Sequence, residues 1–214
     1  MSLQAVQLSR FGSRILASPD CLDSLASTFR QNHFIYLPKL LEPELLQRVS
    51  ARIQSGSFQL REHKGIGKEL GMIDLGAEAL LVFLFNNSSL FRFVERVTGC
   101  ARVGSFIGRI YRYQPESDHF DQWHSDLVGD RMVALSLNLG REPHEGGDLE
   151  IRDKNTQQVL QRIRNPGHGD AVLFQLDRHL EHRRTRVKRA SKTAFAGWFK
   201  LTPDFSDLIR TERK

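Results

Sequence analysis

In the first half of the chain, apolar residues recur at the spacing of helices. After Ser18-Pro19-Asp20 and again after Pro43-Glu44, leucines and other apolar residues return every three or four positions. Both patterns predict helices, because one helix face repeats at that interval and the first turn favours proline and negative charge. Two further helices are predicted over residues 77–85 and 89–98, and a short strand over 33–37. Residues 1–19 are predicted to be an irregular lead-in.

Residues 62–76 contain four glycines and several basic residues without any phosphate-loop pattern. Unpatterned glycines are typical of loops, so this stretch is predicted to be a mobile loop. A lid over a functional site is the alternative interpretation, since such lids are also glycine-containing loops.

After residue 100 the pattern changes to short runs typical of strands, separated by glycine, asparagine and aspartate turns. The predicted strands are 106–113, 131–139, 148–152, 159–164, 170–176, 183–188 and 193–200. Several short strands with regular turns predict a sandwich or barrel. We therefore expect a mainly β protein with N-terminal helices (α+β). It would form a single domain over 1–214, with a helical layer at 1–101, a β core at 102–202 and a tail at 203–214.

Net charge, cysteine content and the length of apolar runs limit the kinds of partner that the protein is expected to have. The 214 residues include 31 basic and 25 acidic ones, for a net charge of +6. The excess weakly favours anionic partners, but the basic residues are mostly dispersed, so nucleic-acid binding is not expected. The two cysteines form no metal or redox motif, and the longest apolar run, Ala79–Phe85, is far shorter than the about 20 residues of a membrane span. These features predict a cytoplasmic protein without a membrane partner.

Candidate chemistry begins at Trp123-His124-Ser125-Asp126. His124 and Asp126 are two positions apart, so on an extended segment both side chains point the same way and can reach one metal ion. A second pair of this kind, His119-Phe120-Asp121, lies just upstream. Either pair alone is more commonly a set of polar surface residues.

The order and spacing of the motifs around His124 resemble those of a known protein family. Asp126 is followed by a strand, by Gly146-Gly147-Asp148, by His182 at 56 positions, and by Lys192 ten positions later. This arrangement, over roughly residues 103–200, resembles the 2-oxoglutarate and Fe(II)-dependent oxygenases, in the branch of the prolyl 4-hydroxylases.

The resemblance implies a fold, a site and an activity. The β core would be a double-stranded β-helix, a jelly-roll barrel supported by the helical layer. His124, Asp126 and His182 would bind Fe(II), Lys192 would bind the far carboxylate of 2-oxoglutarate, and Tyr113 either hydrogen-bonds that carboxylate or is simply a barrel aromatic. O2 would be the oxidant, ascorbate the reductant, and a hydroxylated product, succinate and CO2 the outcome. A carboxylate at position 126 argues against a halogenase.

Spacing decides between competing histidines. Tyr113-Gln114-Pro115 resembles a family strand end that lies about ten residues before the iron histidine, and His124 is 11 positions from Tyr113 whereas His119 is only 6. His179 competes with His182, but Val187 and Lys192 follow His182 at the family's intervals.

The densest basic run surrounds the second histidine and consists of Arg183, Arg184, Arg186, Lys188 and Arg189. It is either a solvated strand edge or a surface that attracts an acidic substrate. The primary substrate stays open among a peptidyl residue such as proline, a free amino acid and a secondary metabolite. The rival function is a non-catalytic jelly-roll protein that binds or senses a small anion.

Overall fold

Within residues 4–164 and 166–203, which the computed structural model describes, the chain forms helices in its first half and strands throughout. The helices are α1 (Pro19–Asn32), α2 (Pro43–Ser55), α3 (Leu75–Phe85) and α4 (Ser88–Thr98). The strands of the first half are β1 (Val6–Ser9), β2 (Gly12–Ile15), β3 (Phe34–Leu37), β4 (Phe58–His63) and β5 (Gly67–Met72). Those of the second half are β6 (Ser105–Tyr113), β7 (Phe120–Asp121), β8 (Arg131–Asn138), β9 (Glu145–Gly146), β10 (Leu149–Asp153), β11 (Val159–Ile163), β12 (Ala171–Gln175), β13 (Leu180–Arg184), β14 (Val187–Arg189) and β15 (Lys192–Lys200). Beyond residue 203, the predicted tail lies outside the described residues.

The predicted start of α1 and the predicted bounds of α4 agree with the caps of these helices. The Ser18 hydroxyl accepts a hydrogen bond from the Cys21 N–H at 3.3 Å and opens α1. The Asn87 side chain accepts from the N–H groups of Ser89 and Leu90 and opens α4, which ends at Gly99 with a φ of 68°. Such side chains accept hydrogen bonds from backbone N–H groups that have no partner within the first turn of a helix, and glycine at the end allows the chain to turn away.

Two antiparallel sheets form the β core. The main sheet has the order β3-β12-β8-β15-β6-β5-β4, with β7 added on β5. The minor sheet has the order β11-β10-β13, and β14 pairs with β9 beside it. This architecture is the expected double-stranded β-helix.

The main sheet is covered on both faces. One face packs on the helices through a phenylalanine cluster, in which the Phe85 ring lies 4.8 Å from that of Phe106 and 5.3 Å from that of Phe195. The other face packs on the minor sheet, where Ala134 and Phe174 share a buried cluster with strands β10, β11 and β13. The space between the two sheets is where the functional side chains meet.

No single helix among the described residues has the length and apolar composition of a membrane span. Helices α3 and α4 taken together, which meet at a bend of 67°, reach that length and composition.

Three local predictions were wrong. Residues 62–76 are largely ordered, because Gly67–Met72 forms β5 and pairs with both β4 and β6. The lead-in contains the β1–β2 hairpin, whose first strand is partly buried. The strand predicted over 183–188 is divided, since β13 ends at Arg184 and β14 begins at Val187.

Candidate metal and cosubstrate site

His124 and His182 are brought together by the backbone. The N–H of His124 donates to the carbonyl of His182 at 3.0 Å, and the N–H of His182 donates back at 2.9 Å. Residues that exchange both hydrogen bonds lie directly opposite each other, so their side chains leave the sheet side by side. The two imidazole centroids are accordingly 4.4 Å apart.

Asp126 completes the cluster. Its Oδ1 lies 3.6 Å from His124 Nε2 and its Oδ2 lies 3.3 Å from His182 Nε2. One potential ligand atom from each of the three residues falls within 4.8 Å of the others. Two imidazoles and a carboxylate on one side of an ion are the donor set of non-haem Fe(II) oxygenases, so the residues present fit the metal.

Neighbouring groups set the protonation of two ligands. His124 Nδ1 lies 2.8 Å from the carbonyl of Gln122, which can only accept, so Nδ1 donates and Nε2 keeps its lone pair for a metal. Burial opposes ionisation of Asp126, but its contacts with His182 and His124 and the N–H of Trp198, at 2.9 Å, hold the pKa of its carboxyl well below the usual range. Asp126 is therefore an anion at neutral pH.

A cavity of about 270 Å³ opens beside the three side chains. Tyr111, Tyr113 and Arg184 line part of its wall, and Trp198 and Arg131 line another. The wall also carries an ion pair in which Arg109 Nε donates to Glu69 Oε1 at 2.9 Å. The cavity is therefore polar and charged, as expected for a site that holds anionic ligands.

Lys192 is buried, with 1% of its surface exposed, and lies directly opposite Tyr113 in the β6–β15 ladder. It does not line the cavity itself, whereas Tyr113 and Ala196 do. Burial, and then the charge of Arg184, lower the pKa of Lys192 well below its usual value. Burial also raises the pKa of Tyr113 well above its usual value, so its hydroxyl keeps its proton. The structure thus places both predicted cosubstrate residues at one end of the β6–β15 pair.

The competing histidines lie elsewhere. His119 Nδ1 accepts the Gln114 N–H at 3.1 Å, and its ring packs 6.1 Å from that of Tyr113 without lining the cavity. His179 is exposed in the turn before β13. Neither belongs to the cluster that contains His124.

Three residues of the site were missed or misplaced by sequence reasoning. Trp198 binds Asp126, and Asp121 lies with Oδ1 3.4 Å from His124 Nδ1 and Oδ2 2.8 Å from the Arg184 N–H. In the sequence, Asp121 stands out only as half of the competing His119 pair. The third is Arg184, which was grouped with an exposed basic run but lines the cavity. Alternation along β13 was the available signal, because Arg184 shares the parity of His182.

Comparisons with known proteins agree with this geometry. Residues 108–200 match the model of the 2OG-Fe(II) oxygenase superfamily. No curated protein matches the sequence. Three solved structures illustrate the likeness of the fold. The first is an oxidoreductase of the 2OG-Fe(II) oxygenase family from Burkholderia pseudomallei, at 15% identity and a TM-score of 0.63, covering 86% of this chain and 92% of that one.

The other two are prolyl hydroxylases. The Pseudomonas putida prolyl-4-hydroxylase is 18% identical with a TM-score of 0.62, and the match covers 84% of this chain and 98% of that one. The Trichoplax adhaerens prolyl hydroxylase was solved in complex with a hypoxia inducible factor oxygen degradation domain peptide fragment. It is 19% identical with a TM-score of 0.62, and the match covers 90% of this chain and 92% of that one. Residues 108–200, which carry the cluster of two histidines and one aspartate, are therefore similar to the 2OG-Fe(II) oxygenase superfamily, and the fold is like that of the prolyl 4-hydroxylases.

Proposed function

We propose that the protein is an Fe(II)- and 2-oxoglutarate-dependent hydroxylase. The observation that carries the proposal is the convergence of His124, Asp126 and His182 at the wall of one cavity. These three side chains would hold the iron. When bound, iron with 2-oxoglutarate and O2 supplies the oxidation of a C–H bond to an alcohol, with release of succinate and CO2, and ascorbate would keep the metal reduced.

The chain's own residues orient the reactants. The Gln122 carbonyl fixes the ring of His124, and the Trp198 N–H fixes the carboxylate of Asp126. Asp126 would offset one positive charge of the metal. Lys192 would attract the far carboxylate of 2-oxoglutarate, and the protonated Tyr113 hydroxyl would donate a hydrogen bond to it. Positioning and charge are thus the protein's contribution, while the cofactors carry the oxidation.

The substrate that we propose is an organic molecule with an accessible C–H bond, either a peptidyl residue such as proline or a small molecule. The prolyl hydroxylases among the structural neighbours support the first choice. Arg131 in the cavity wall supports an acidic substrate, because it carries positive charge next to the proposed metal site, whereas the charge of Arg109 is offset by Glu69. Membranes and nucleic acids are not among the proposed partners. Two free cysteines, Cys21 and Cys100, support a reducing compartment such as the cytoplasm.

Turnover of labelled 2-oxoglutarate tests this function. The protein is loaded with Fe(II) and ascorbate in air, and labelled succinate is measured with and without candidate substrates. We expect succinate from the wild type and from His179→Ala, the control with an exposed histidine, and none from His182→Ala. A protein that binds a small anion without stoichiometric Fe(II), and releases no succinate under any condition, would instead be the non-catalytic jelly-roll sensor.

A further inference from the structure

Strand alternation sends the two adjacent arginines of β13 in opposite directions. Arg184 shares the inward face of His182, and both line the cavity beside the metal site. Arg183 points to the outer face, where its Nε donates to Glu150 at 2.8 Å and its guanidinium lies 4.4 Å from the Trp123 ring. The two residues therefore have different surroundings despite equal charge.

Arg184 differs from its neighbours in what it binds. The other arginines of the minor sheet, Arg152, Arg162 and Arg183, each form an ion pair with a glutamate. Among the residues that the structure describes, no carboxylate forms an ion pair with the Arg184 guanidinium. Asp121, the acid in this wall, instead uses one oxygen for the Arg184 backbone N–H. A half-buried cation without an anionic partner is costly, so a ligand that supplies the anion would be favoured.

Arg184 also lies within electrostatic reach of both predicted cosubstrate residues. Its charge lowers the pKa of Lys192 and opposes the rise in the pKa of Tyr113. Tyr113 and Arg184 line the main cavity and also the smaller cavity next to it, and Lys192 lies opposite Tyr113. An anion that enters from the metal side would meet Arg184 in the cavity wall, while Lys192 lies deeper, behind that wall.

From this placement we propose that Arg184 binds the distal carboxylate of 2-oxoglutarate together with Lys192, so that two cations of the chain hold the cosubstrate. The inference rests on the proposed function. The guanidinium presents paired N–H donors that match a carboxylate, which an ammonium cannot do. A 2-oxo acid that lacks the distal carboxylate would gain nothing from Arg184.

Calorimetric binding to the full-length, Mn(II)-loaded protein tests the proposal without turnover. The two probes are 2-oxoglutarate and 2-oxovalerate, which has a methyl group in place of the distal carboxylate. We expect Arg184→Met to weaken 2-oxoglutarate binding at least about tenfold, as for loss of one charge-assisted pair. Binding of 2-oxovalerate and of Mn(II) should change less than about twofold. Arg184→Lys, which keeps the charge, should recover part of the loss.

Arg189→Met is the matched control, because it removes the same charge from an exposed position of the same segment. It should leave both affinities unchanged. If the wild type binds Mn(II) and 2-oxoglutarate and Arg184→Met binds 2-oxoglutarate equally well, the proposal is wrong. An equal loss in Arg189→Met would also overturn it, as an effect of net charge alone. Failure of the wild type to bind either ligand would count against the proposed function instead. If Arg184→Met does not fold, Arg184→Gln carries the same comparison.

Discussion

The four histidines that the sequence offers as candidate ligands differ in what their rings contact. His124 and His182 face Asp126, whereas the His119 ring accepts a backbone N–H and His179 is exposed. We therefore expect His124→Ala, Asp126→Ala or His182→Ala to weaken Fe(II) binding by more than about 100-fold, since even residues behind the ligands cost 10–100-fold.

His119→Ala and His179→Ala are the controls and should retain the metal. Fe(II) content after gel filtration, measured anaerobically, reports the result. Loss of iron in His119→Ala with retention in His124→Ala would reassign the ligands to the upstream pair.

Lys192, which is buried, is the second residue whose loss has a specific consequence. We expect Lys192→Met to raise the half-saturating 2-oxoglutarate concentration at least about tenfold, equivalent to roughly 1.4 kcal/mol. Fe(II) binding should survive, because Lys192 lies outside the metal cluster. Lys192→Arg should cost less, since it keeps the charge in a bulkier group. Succinate release against 2-oxoglutarate concentration measures all three, and an unchanged half-saturation point in Lys192→Met would remove its anchoring role.

The lowered pKa of Lys192 also predicts a pH dependence. Burial, and then the charge of Arg184, lower it, so the folded protein binds fewer protons than the unfolded chain between that pKa and about 10.4. Stability without cosubstrate should therefore rise as pH rises through this window. A bound carboxylate favours the charged lysine, so 2-oxoglutarate binding should take up protons. Calorimetry in buffers of different ionisation heat measures the uptake, which Lys192→Met should reduce; equal uptake in both proteins would point to another group.

At the scale of single residues, the sequence predicted which side chains form the metal cluster better than it predicted their supports. His124, Asp126 and His182 come together as expected, because the order of motifs that resembles a known family includes all three. The Trp198 hydrogen bond and the inward direction of Arg184 depend on which strands face each other, and no local pattern reports that.

At the scale of secondary-structure elements, the pairing of strands brings the residues of the site together. His124 and His182 are 58 positions apart in the sequence and become neighbours only through one antiparallel bridge. The same dependence on pairing explains the error over residues 62–76. Gly67 and Gly71 were interpreted as marks of a loop, but a side chain at 67 would meet the Phe120 carbonyl at 3.0 Å, and one at 71 would meet Arg61. Here glycine permits close strand packing, which sequence alone does not distinguish from a turn.

Glu150 links the three strands of the minor sheet through its side chain. Its fully buried carboxylate accepts hydrogen bonds from Arg183 at 2.8 Å and Arg162 at 2.7 Å, one on each neighbouring strand. We expect Glu150→Ala to lower the free energy of unfolding by about 1–2 kcal/mol, because two charge-assisted hydrogen bonds are lost while the two arginines remain partly exposed to water. Fe(II) affinity should fall as well, since β10 positions His182 opposite Ile151.

Chemical denaturation measures the stability, and Glu44→Ala is the control. Glu44 pairs with Arg48 one turn along the exposed face of α2, so its loss should cost less than about 0.5 kcal/mol. Burial opposes ionisation of Glu150, but both arginines lower its pKa, so its contribution should be present above the unfolded pKa and disappear as pH falls. Equal stability of the two variants would show that the buried network contributes nothing.

At the scale of the whole molecule, the helical half and the β core share one sheet and one hydrophobic core. Strands β3, β4 and β5 come from the first half and extend the sheet that carries Tyr113 and Lys192. Along β15, Lys192, Ala194, Ala196 and Trp198 alternate with residues such as Phe195 and Phe199 that contact the helical layer. The sequence predicted the supporting layer of helices and the strand that became β3, but not β4 and β5, because short strands rich in glycine and charged residues have weak patterns of their own.

The shared core predicts that metal binding and helix packing are lost together. Phe85 in α3 is fully buried between Phe106 and Phe195, whereas Phe83 in the same helix is 75% exposed. We expect Phe85→Ala to cost about 3–5 kcal/mol, as for other large cavities in a core, and Phe83→Ala to change stability by less than about 0.5 kcal/mol. Thermal unfolding followed by far-ultraviolet dichroism and by Fe(II) release should give coincident transitions in all three proteins, with only Phe85→Ala shifted down. If Phe85→Ala melts early by dichroism but releases iron at the wild-type temperature, the helical layer and the metal site are independent folding units.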